Sequence, residues 1–315
     1  MTKSVLTQLT LLLSLLITAN TFAKTTADAL ESNLSDKKTL KVASWNIAWL
    51  SSHKYNERKQ ADYDKLSAYA TKLNADVIAL QEVESAEWAE KVFGDDYDFY
   101  FSTRDWVQRV GVAVKKSSGL KVISQEYKAL NLDRVRSGMQ VTLSRNNKEF
   151  TLLAVHLKSG CFTDPLDNKS VMAMADKTEK EGRRKEACTL LSQQIEPLEK
   201  WIDNQAAQNK AYLVLGDFNR RFSQDIAHKY AENQGLWQAL NDEGQEVLWT
   251  PTATLDSKCW GGYYKDYIDH IVFSPMAKTM YIDDSFEQLV FDEKYTSELS
   301  RNLSDHCPVS VQLDM

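Results

Sequence analysis

The sequence predicts an α/β sandwich with mixed β-sheets, and three observations lead there. Short apolar runs alternate with amphipathic stretches from Leu40 to Leu313. Some runs follow one another closely enough to be joined as hairpins, which a strictly alternating βαβ fold does not do. No internal repeat, Gly/Ser/Pro linker or shift of composition divides that stretch, so one domain over residues 40–315 is expected.

In chain order, Leu40 to Ala43 reads as a buried strand, and Glu57 to Asn74 as a helix with Tyr63, Leu66, Ala70 and Leu73 on one face. Strands are expected at Asp76–Leu80, Val110–Val114, Gln140–Leu143 and Thr151–Val155. Arg183 to Gln208 places Ala187, Leu191, Ile195, Leu198 and Ile202 at helical spacing, and strands follow at Ala211–Leu215, Tyr267–Phe273 and Pro308–Leu313.

Met1 to Ala23 reads as a secretory signal. Lys3 is its basic start, Leu9 to Ala19 its apolar stretch, and Thr21-Phe22-Ala23 its small-residue cleavage site. That apolar stretch is well short of the ~20 residues needed to span a bilayer. Residues 24–39 form a polar leader, and the exported product is expected in a periplasm or outside the cell, as a monomer without stable membrane association. In an oxidising compartment the four cysteines suggest disulfides. Cys161 and Cys188 bracket the polar stretch Phe162 to Ala187 and are the first expected pair; Cys307, followed by Pro308, Val309 and Val311, is read as a disulfide partner or a buried strand thiol.

Without the signal, which holds one Lys and no acid, the chain carries 37 basic and 44 acidic groups, a net charge of −7. Bulk electrostatics therefore do not favour holding a polyanion. The chemistry is expected where strands end. Asn46, Glu82, His156, Asp217, Asn219, Asp269, Asp305 and His306 each follow an apolar, strand-like run. Four of these are carboxylates, which would repel one another unless a cation or a proton intervened. The chain has neither CxxC spacing nor a histidine cluster, so zinc is disfavoured. Hard oxygen donors suit Mg²⁺, Mn²⁺ or Ca²⁺, and metal-assisted phosphoester hydrolysis is the chemistry that fits.

Trp45-Asn46, Leu80-Gln81-Glu82, His156, Gly216-Asp217-Phe218-Asn219, Asp269 and Ser304-Asp305-His306 occur in that order. With this series the chain resembles the endonuclease/exonuclease/phosphatase superfamily, whose fold is deoxyribonuclease-I-like. The resemblance implies a four-layer sandwich of two central sheets flanked by helices, with the site at one end. It makes Glu82 the principal divalent-metal ligand, with Asn46 and Asp305 nearby. It makes His306, oriented by Asp269, a general base or a phosphate contact, and His156 a donor to the phosphate or leaving oxygen. Asp217 and Asn219 complete the pocket, and the acid/base roles of Asp217 and His306 stay open. Repair nucleases of this superfamily usually carry Tyr where this chain has His156. His at that position resembles secreted nucleases and sphingomyelinase-like lipases.

Cations beside these motifs, Lys158, Arg109, Arg134, Arg136 and Arg220, are expected to meet a nucleic-acid backbone. The aromatic stretch Trp249 to Tyr267 reads as core packing or as a surface for bases. The leading expectation is a secreted metal-dependent nuclease acting on DNA, with RNA as a second polymer. The alternatives are a sphingomyelinase-like phospholipid phosphodiesterase and a small-phosphoester phosphatase.

Overall fold

The computed structural model describes residues 39–315 except 133–134, 232 and 242–246. The expected signal and nearly all of the leader, together with Arg134, lie outside the described residues.

Among the described residues, eleven strands form two sheets. The first contains β1 (Thr39–Leu50), β2 (Val77–Val83), β3 (Tyr97–Phe101), β4 (Arg109–Lys115), β10 (Glu287–Gln288) and β11 (Val309–Asp314), in the order β10-β11-β1-β2-β4-β3. The second contains β5 (Lys121–Tyr127), β6 (Gly138–Arg145), β7 (Lys148–His156), β8 (Tyr212–Asp217) and β9 (Asp269–Phe273), in sequence order. Each sheet has one parallel pair, β1/β2 and β7/β8, and the other pairings are antiparallel. The helices are α1 (Gln60–Leu73), α2 (Ala86–Phe93), α3 (Asn168–Ala173), α4 (Glu179–Ala206), α5 (Phe222–His228), α6 (Leu236–Ala239), α7 (Pro275–Lys278) and α8 (Ser297–Asn302).

Side chains alternate across a strand with period two, and that period sorts the core into layers. Leu40 and Val42 of β1 with Val77 and Ala79 of β2 face Leu152 and Ala154 of β7 and Leu213 and Leu215 of β8, filling the space between the sheets. Their neighbours Ala43, Trp45, Ile78 and Leu80 point the other way and pack with Leu66, Leu73, Ala89 and Val92 of α1 and α2. On the far side, Leu153, Val155 and Val214 pack with Leu191, Leu198 and Ile202 of α4. The result is a helix–sheet–sheet–helix sandwich. Among the described residues no helix is long and apolar enough to cross a membrane.

Several boundaries move for local reasons. The long helix starts at Glu179, before the expected Arg183, because Thr178 and Glu181 form a reciprocal capping box. The first helix starts at Gln60, because Asp62 accepts the Lys59 N–H and fixes the cap there. The expected cross-link is made, Cys161 pairing with Cys188, and Cys307, open between a disulfide and a thiol, pairs with Cys259. Two disulfides suit an oxidising compartment.

Candidate active site

The same period two that builds the inner core delivers the polar groups. Continuing each inward-facing series reaches His156 on β7 and Asp217 on β8 two residues on, and Asn46 on β1 four residues on by way of Ser44, while Asp269 opens β9 on its inward face. His156 stands opposite Asp217 and Asp217 opposite Asp269, so three strands contribute one row. Asp269 begins its strand, and Asp305 and His306 precede β11; they do not follow apolar strands as expected. Because β9 and β11 run antiparallel to β8 and β1, their beginnings lie at the ends of those neighbours.

Glu82 reaches the site by another device. Simple alternation would send it outward with Ile78 and Leu80. Its backbone is instead left-handed, at φ 60°, and the pairing of β2 with β4 shifts register between Gln81 and Val83. Such a bulge re-aims one side chain. Gly216 is required for a related reason. A Cβ there would lie 2.0 Å from the Val155 carbonyl oxygen, at a φ of 143°.

The groups gather in a cleft of about 640 Å³ lined by Glu82, Arg136, His156, Asp217, Asp269 and His306, among others. Asp217 Oδ1 accepts the Asn219 N–H at 2.8 Å, and its Oδ2 accepts from Asn46 Nδ2 at 3.1 Å. His156 Nε2 is 3.4 Å from that Oδ2 and 3.7 Å from Glu82 Oε1. His306 is aligned from two sides. Its Nδ1 is 2.7 Å from Asp269 Oδ2, and its backbone N–H donates to Ser304 Oγ, which itself donates to the Asn46 carbonyl at 2.6 Å. Glu82 Oε2 accepts the Trp49 N–H at 3.2 Å, and Gln108 donates to the same carboxylate. Asp305 is half exposed, with Oδ1 3.9 Å from His306 Nε2.

Burial dominates the electrostatics, and neighbouring charges then separate the groups. Burial pushes Glu82 above the usual carboxylate range, with Asp305 adding to the effect and His306 and Arg136 opposing it. Asp217 is pushed up to about 7 by burial, against the pull of His306 and with the help of Asp269 and Glu82. The two histidines diverge. Burial, reinforced by the charges of Arg136, His306 and Arg104, holds His156 well below the ordinary imidazole value. Burial also opposes the charge on His306, but Asp269, Asp217 and Asp305 outweigh it and hold that imidazole well above 6.5.

The expected substrate cations fare differently. Arg220, expected on the substrate, is wholly buried and faces Asp225, with Nη1 donating to the Cys161 and Asp164 carbonyls. It belongs to the fold beneath the cleft. Arg136 lines the cleft but spends its Nε and Nη2 on the carbonyls of His156 and Leu157. Arg109, opposite Val83 in β4, and Lys158, whose Nζ donates to the Ser159 carbonyl, are not among the lining residues. Arg221 and Lys265 are. Of the aromatic stretch, Trp260 is buried and Trp249 packs against the inner core, whereas Tyr263, Tyr264 and the largely buried Tyr267 line the cleft. The sequence carries no pattern that singles out Gln108 or Arg104. Ser304 lay within the Ser-Asp-His series, but its bridging bond had no sequence signal. A larger groove of about 750 Å³ along α3 and α4 has no histidine among its described lining residues.

Solved structures share this fold. An endonuclease/exonuclease/phosphatase from Bacteroides vulgatus superposes with a TM-score of 0.57 at 15% identity, over 89% of this chain and 100% of that one. D. rerio TDP2, solved with a single strand DNA product, gives 0.54 at 19% identity over 89% and 100%. The human Nocturnin catalytic domain with bound sulfate gives 0.54 at 14% identity over 87% and 94%. No curated protein sequence matches the chain. The model of the endonuclease/exonuclease/phosphatase family matches residues 43–306, from the strand that carries Asn46 to the imidazole set by Asp269, and the chain belongs to that family.

Proposed function

We propose that the protein is an exported, divalent-metal-dependent phosphodiesterase that hydrolyses nucleic acid, with DNA as the first substrate, by in-line attack of an activated water. The observation that carries this reading is the row His156, Asp217 and Asp269 with His306 docked on it. Two acids and two imidazoles of opposite electrostatic bias meet around one space large enough for a phosphate. D. rerio TDP2, which shares the fold, was solved with a single strand DNA product, and this supports a nucleic-acid substrate.

The donor set fits a hard divalent cation. Glu82, Asp217, Asp269 and Asp305 lie along one cleft, and burial raises two of them. Asp269 Oδ1 is buried without a hydrogen-bond partner among the described residues. Glu82, Asp305 and the Asn46 amide oxygen, which keeps a free lone pair after accepting the Ala48 N–H, would hold the ion. Mg²⁺, Mn²⁺ or Ca²⁺ supplies charge neutralisation of the phosphate there.

The chain's own groups divide the remaining work. His306, held protonated by Asp269, presents Nε2 to the phosphate as a charged donor. His156 stays neutral and offers Nε2–H, because its Nδ1 is buried without a partner among the described residues and its Nε2 faces carboxylates. Asp217, fixed by Asn46 and Asn219 and titrating near neutrality, takes the proton of the attacking water. The purified protein should nick supercoiled plasmid with Mg²⁺ or Mn²⁺ and stop on chelation. Glu82→Ala and His306→Ala should each abolish nicking while the circular-dichroism spectrum is unchanged. Full activity in either variant refutes the site. Release of phosphocholine from sphingomyelin vesicles with plasmid left intact refutes the nuclease reading in favour of a lipase.

A further inference from the structure

Four rings outside the three hydrophobic cores cluster around Trp49, whose backbone N–H donates to Glu82. Trp49 lies 4.9 Å from Tyr55, 5.2 Å from His53 and 6.5 Å from Trp106, centroid to centroid, and His53 is 5.8 Å from Trp106. They leave large faces in solvent: Tyr55 is 63% and Trp106 47% exposed. An exposed aromatic group of this size is unusual unless something binds it.

None of these rings is among the cleft's lining residues; the patch is joined to the cleft by one hydrogen bond to Glu82 from each segment that builds it. Trp49 sits in a left-handed conformation, φ 58°, with its N–H on Glu82 Oε2 and its carbonyl on Arg58 Nη1 at 3.0 Å. The backbone of the central aromatic residue is therefore tied to the same carboxylate that faces His156. The loop of residues 102–108 that carries Trp106 also supplies Gln108, which bonds Glu82, and Arg104, whose charge is felt at His156 and Arg136.

We propose that Trp49, Tyr55 and Trp106 form a stacking platform for an unpaired nucleobase next to the scissile phosphate, so that the preferred substrate is single-stranded or frayed nucleic acid. The proposal rests on the phosphodiesterase reading above. Bases within a duplex already stack on one another, and a π-surface beside the reacting phosphate is useful only to a base whose face is free. Stacking also suits a chain whose net charge is −6 and whose Arg220 is withdrawn into the fold, because it holds a polyanion without a basic field. A bilayer is the poorer occupant. The exposed rings are interleaved with Ser52, Lys54 and Asp105, and the aliphatic neighbour Val107 is buried.

The test is fluorescence anisotropy of labelled DNA of about 12 nucleotides, single-stranded or closed into a duplex, in chelator to prevent turnover. The single strand should bind more tightly than the duplex. Trp106→Ala and Tyr55→Ala should each weaken single-strand binding by about 5- to 100-fold and leave duplex binding unchanged. Trp106→Phe should keep most of the affinity, and a strand with abasic sites should bind the parent protein as weakly as it binds Trp106→Ala. Cleavage of a strand with abasic sites in Mg²⁺, which offers the platform no ring to stack, should be the same in all variants. Wild-type single-strand affinity in both alanine variants, or equal binding of duplex by the parent, overturns the platform while leaving the phosphodiesterase intact. Trp106-dependent binding to sphingomyelin vesicles without Trp106-dependent DNA binding overturns it in favour of a membrane contact. If the parent hydrolyses no phosphodiester at all, the functional reading fails, and this inference with it.

Discussion

Replacing Arg220 with Ala separates a substrate contact from a structural one. The side chain follows Asn219 directly and is wholly buried, as is Asp225. Nε lies 2.8 and 3.0 Å from the two Asp225 oxygens, and Nη2 approaches Oδ1 at 2.6 Å without hydrogen-bond alignment. Nη1 ties in the loop closed by Cys161 and Cys188 through two carbonyls, and Asp225 Oδ2 also accepts the Trp237 N–H. Truncation leaves a buried carboxylate without its counter-charge and two carbonyls without a donor. Breaking one side of a buried pair costs about 3–5 kcal/mol. For a chain of this size that is a fall in Tm of roughly 5–9 °C.

Urea unfolding and thermal melts of Arg220→Ala, Asp225→Ala and the double variant Arg220→Met/Asp225→Leu check this. Both single variants should lose stability to a similar extent, and the double variant should recover much of it, because an apolar pair of similar volume carries no desolvated charge. The cleft's activity, measured well below the lowered Tm, should fall less than tenfold. A surface substitution that merely touched substrate would stay within about 0.5 kcal/mol of the parent. The reasoning is refuted if Arg220→Ala melts within about 2 °C of the parent while kcat/KM on an oligonucleotide drops tenfold or more.

Other expectations follow from single contacts. Asp269→Asn removes the charge that raises His306, so the alkaline limb of the kcat/KM profile should move to lower pH, with kcat down by about 10²–10⁴-fold; an unmoved limb would remove Asp269 from that role. His270, stacked on Phe222 and bonded to Thr252 and the Arg220 carbonyl, is lowered by burial to about 3. The unfolded chain therefore binds the extra proton first, and stability that is complete above about pH 6.5 is lost as the pH falls towards 3. His270→Gln should flatten that slope by about 1.4 kcal/mol per pH unit in chemical-denaturation curves. Gly216→Ala should cost about 3 kcal/mol or more, read from the urea midpoint, since the new methyl meets backbone rather than a movable side chain. Reducing or deleting Cys259–Cys307, 48 residues apart, should cost about 4 kcal/mol if it acts by closing that loop, and calorimetry of Cys259→Ser/Cys307→Ser checks it.

What the sequence disclosed depended on burial. β1, β2, β4, β7 and β8 are buried on both faces, and each leaves an apolar run that stands out against its polar flanks. The edge strands β5 and β3 are not among the expected strands. Lys121 to Tyr127 is mostly exposed and paired on one side only, so its pattern resembles a loop. Direction is equally hidden. An apolar run has the same composition read forwards or backwards, and only the antiparallel pairing of β9 and β11 explains why polar groups before a strand join those after one. Single-residue geometry left no trace either. Nothing in Leu-Gln-Glu-Val announces a left-handed Glu82, and Arg220-Arg221 looks like a pair of surface cations until Asp225 is seen to take the first of them inward.

That inward turn bears on how the substrate is held. Among the described cations of the cleft, Arg136 is engaged by two carbonyls, and Arg221 lies 3.6 Å from Asp266, which leaves Lys265 as the remaining lysine or arginine of the lining. An anionic substrate therefore meets more acid than base on approach, and rim charge cannot supply most of the affinity. The sources left on the proposed reading are the divalent ion, the His306 imidazolium and the aromatic faces beside Glu82. The first two act only on the phosphate at the reaction centre. The third acts on a base and is indifferent to salt, since stacking releases no counterions. Binding of a single strand should accordingly fall less steeply with salt than for a protein that grips several phosphates. A log–log salt slope steeper than about −3 would show four or more phosphate contacts and contradict this division.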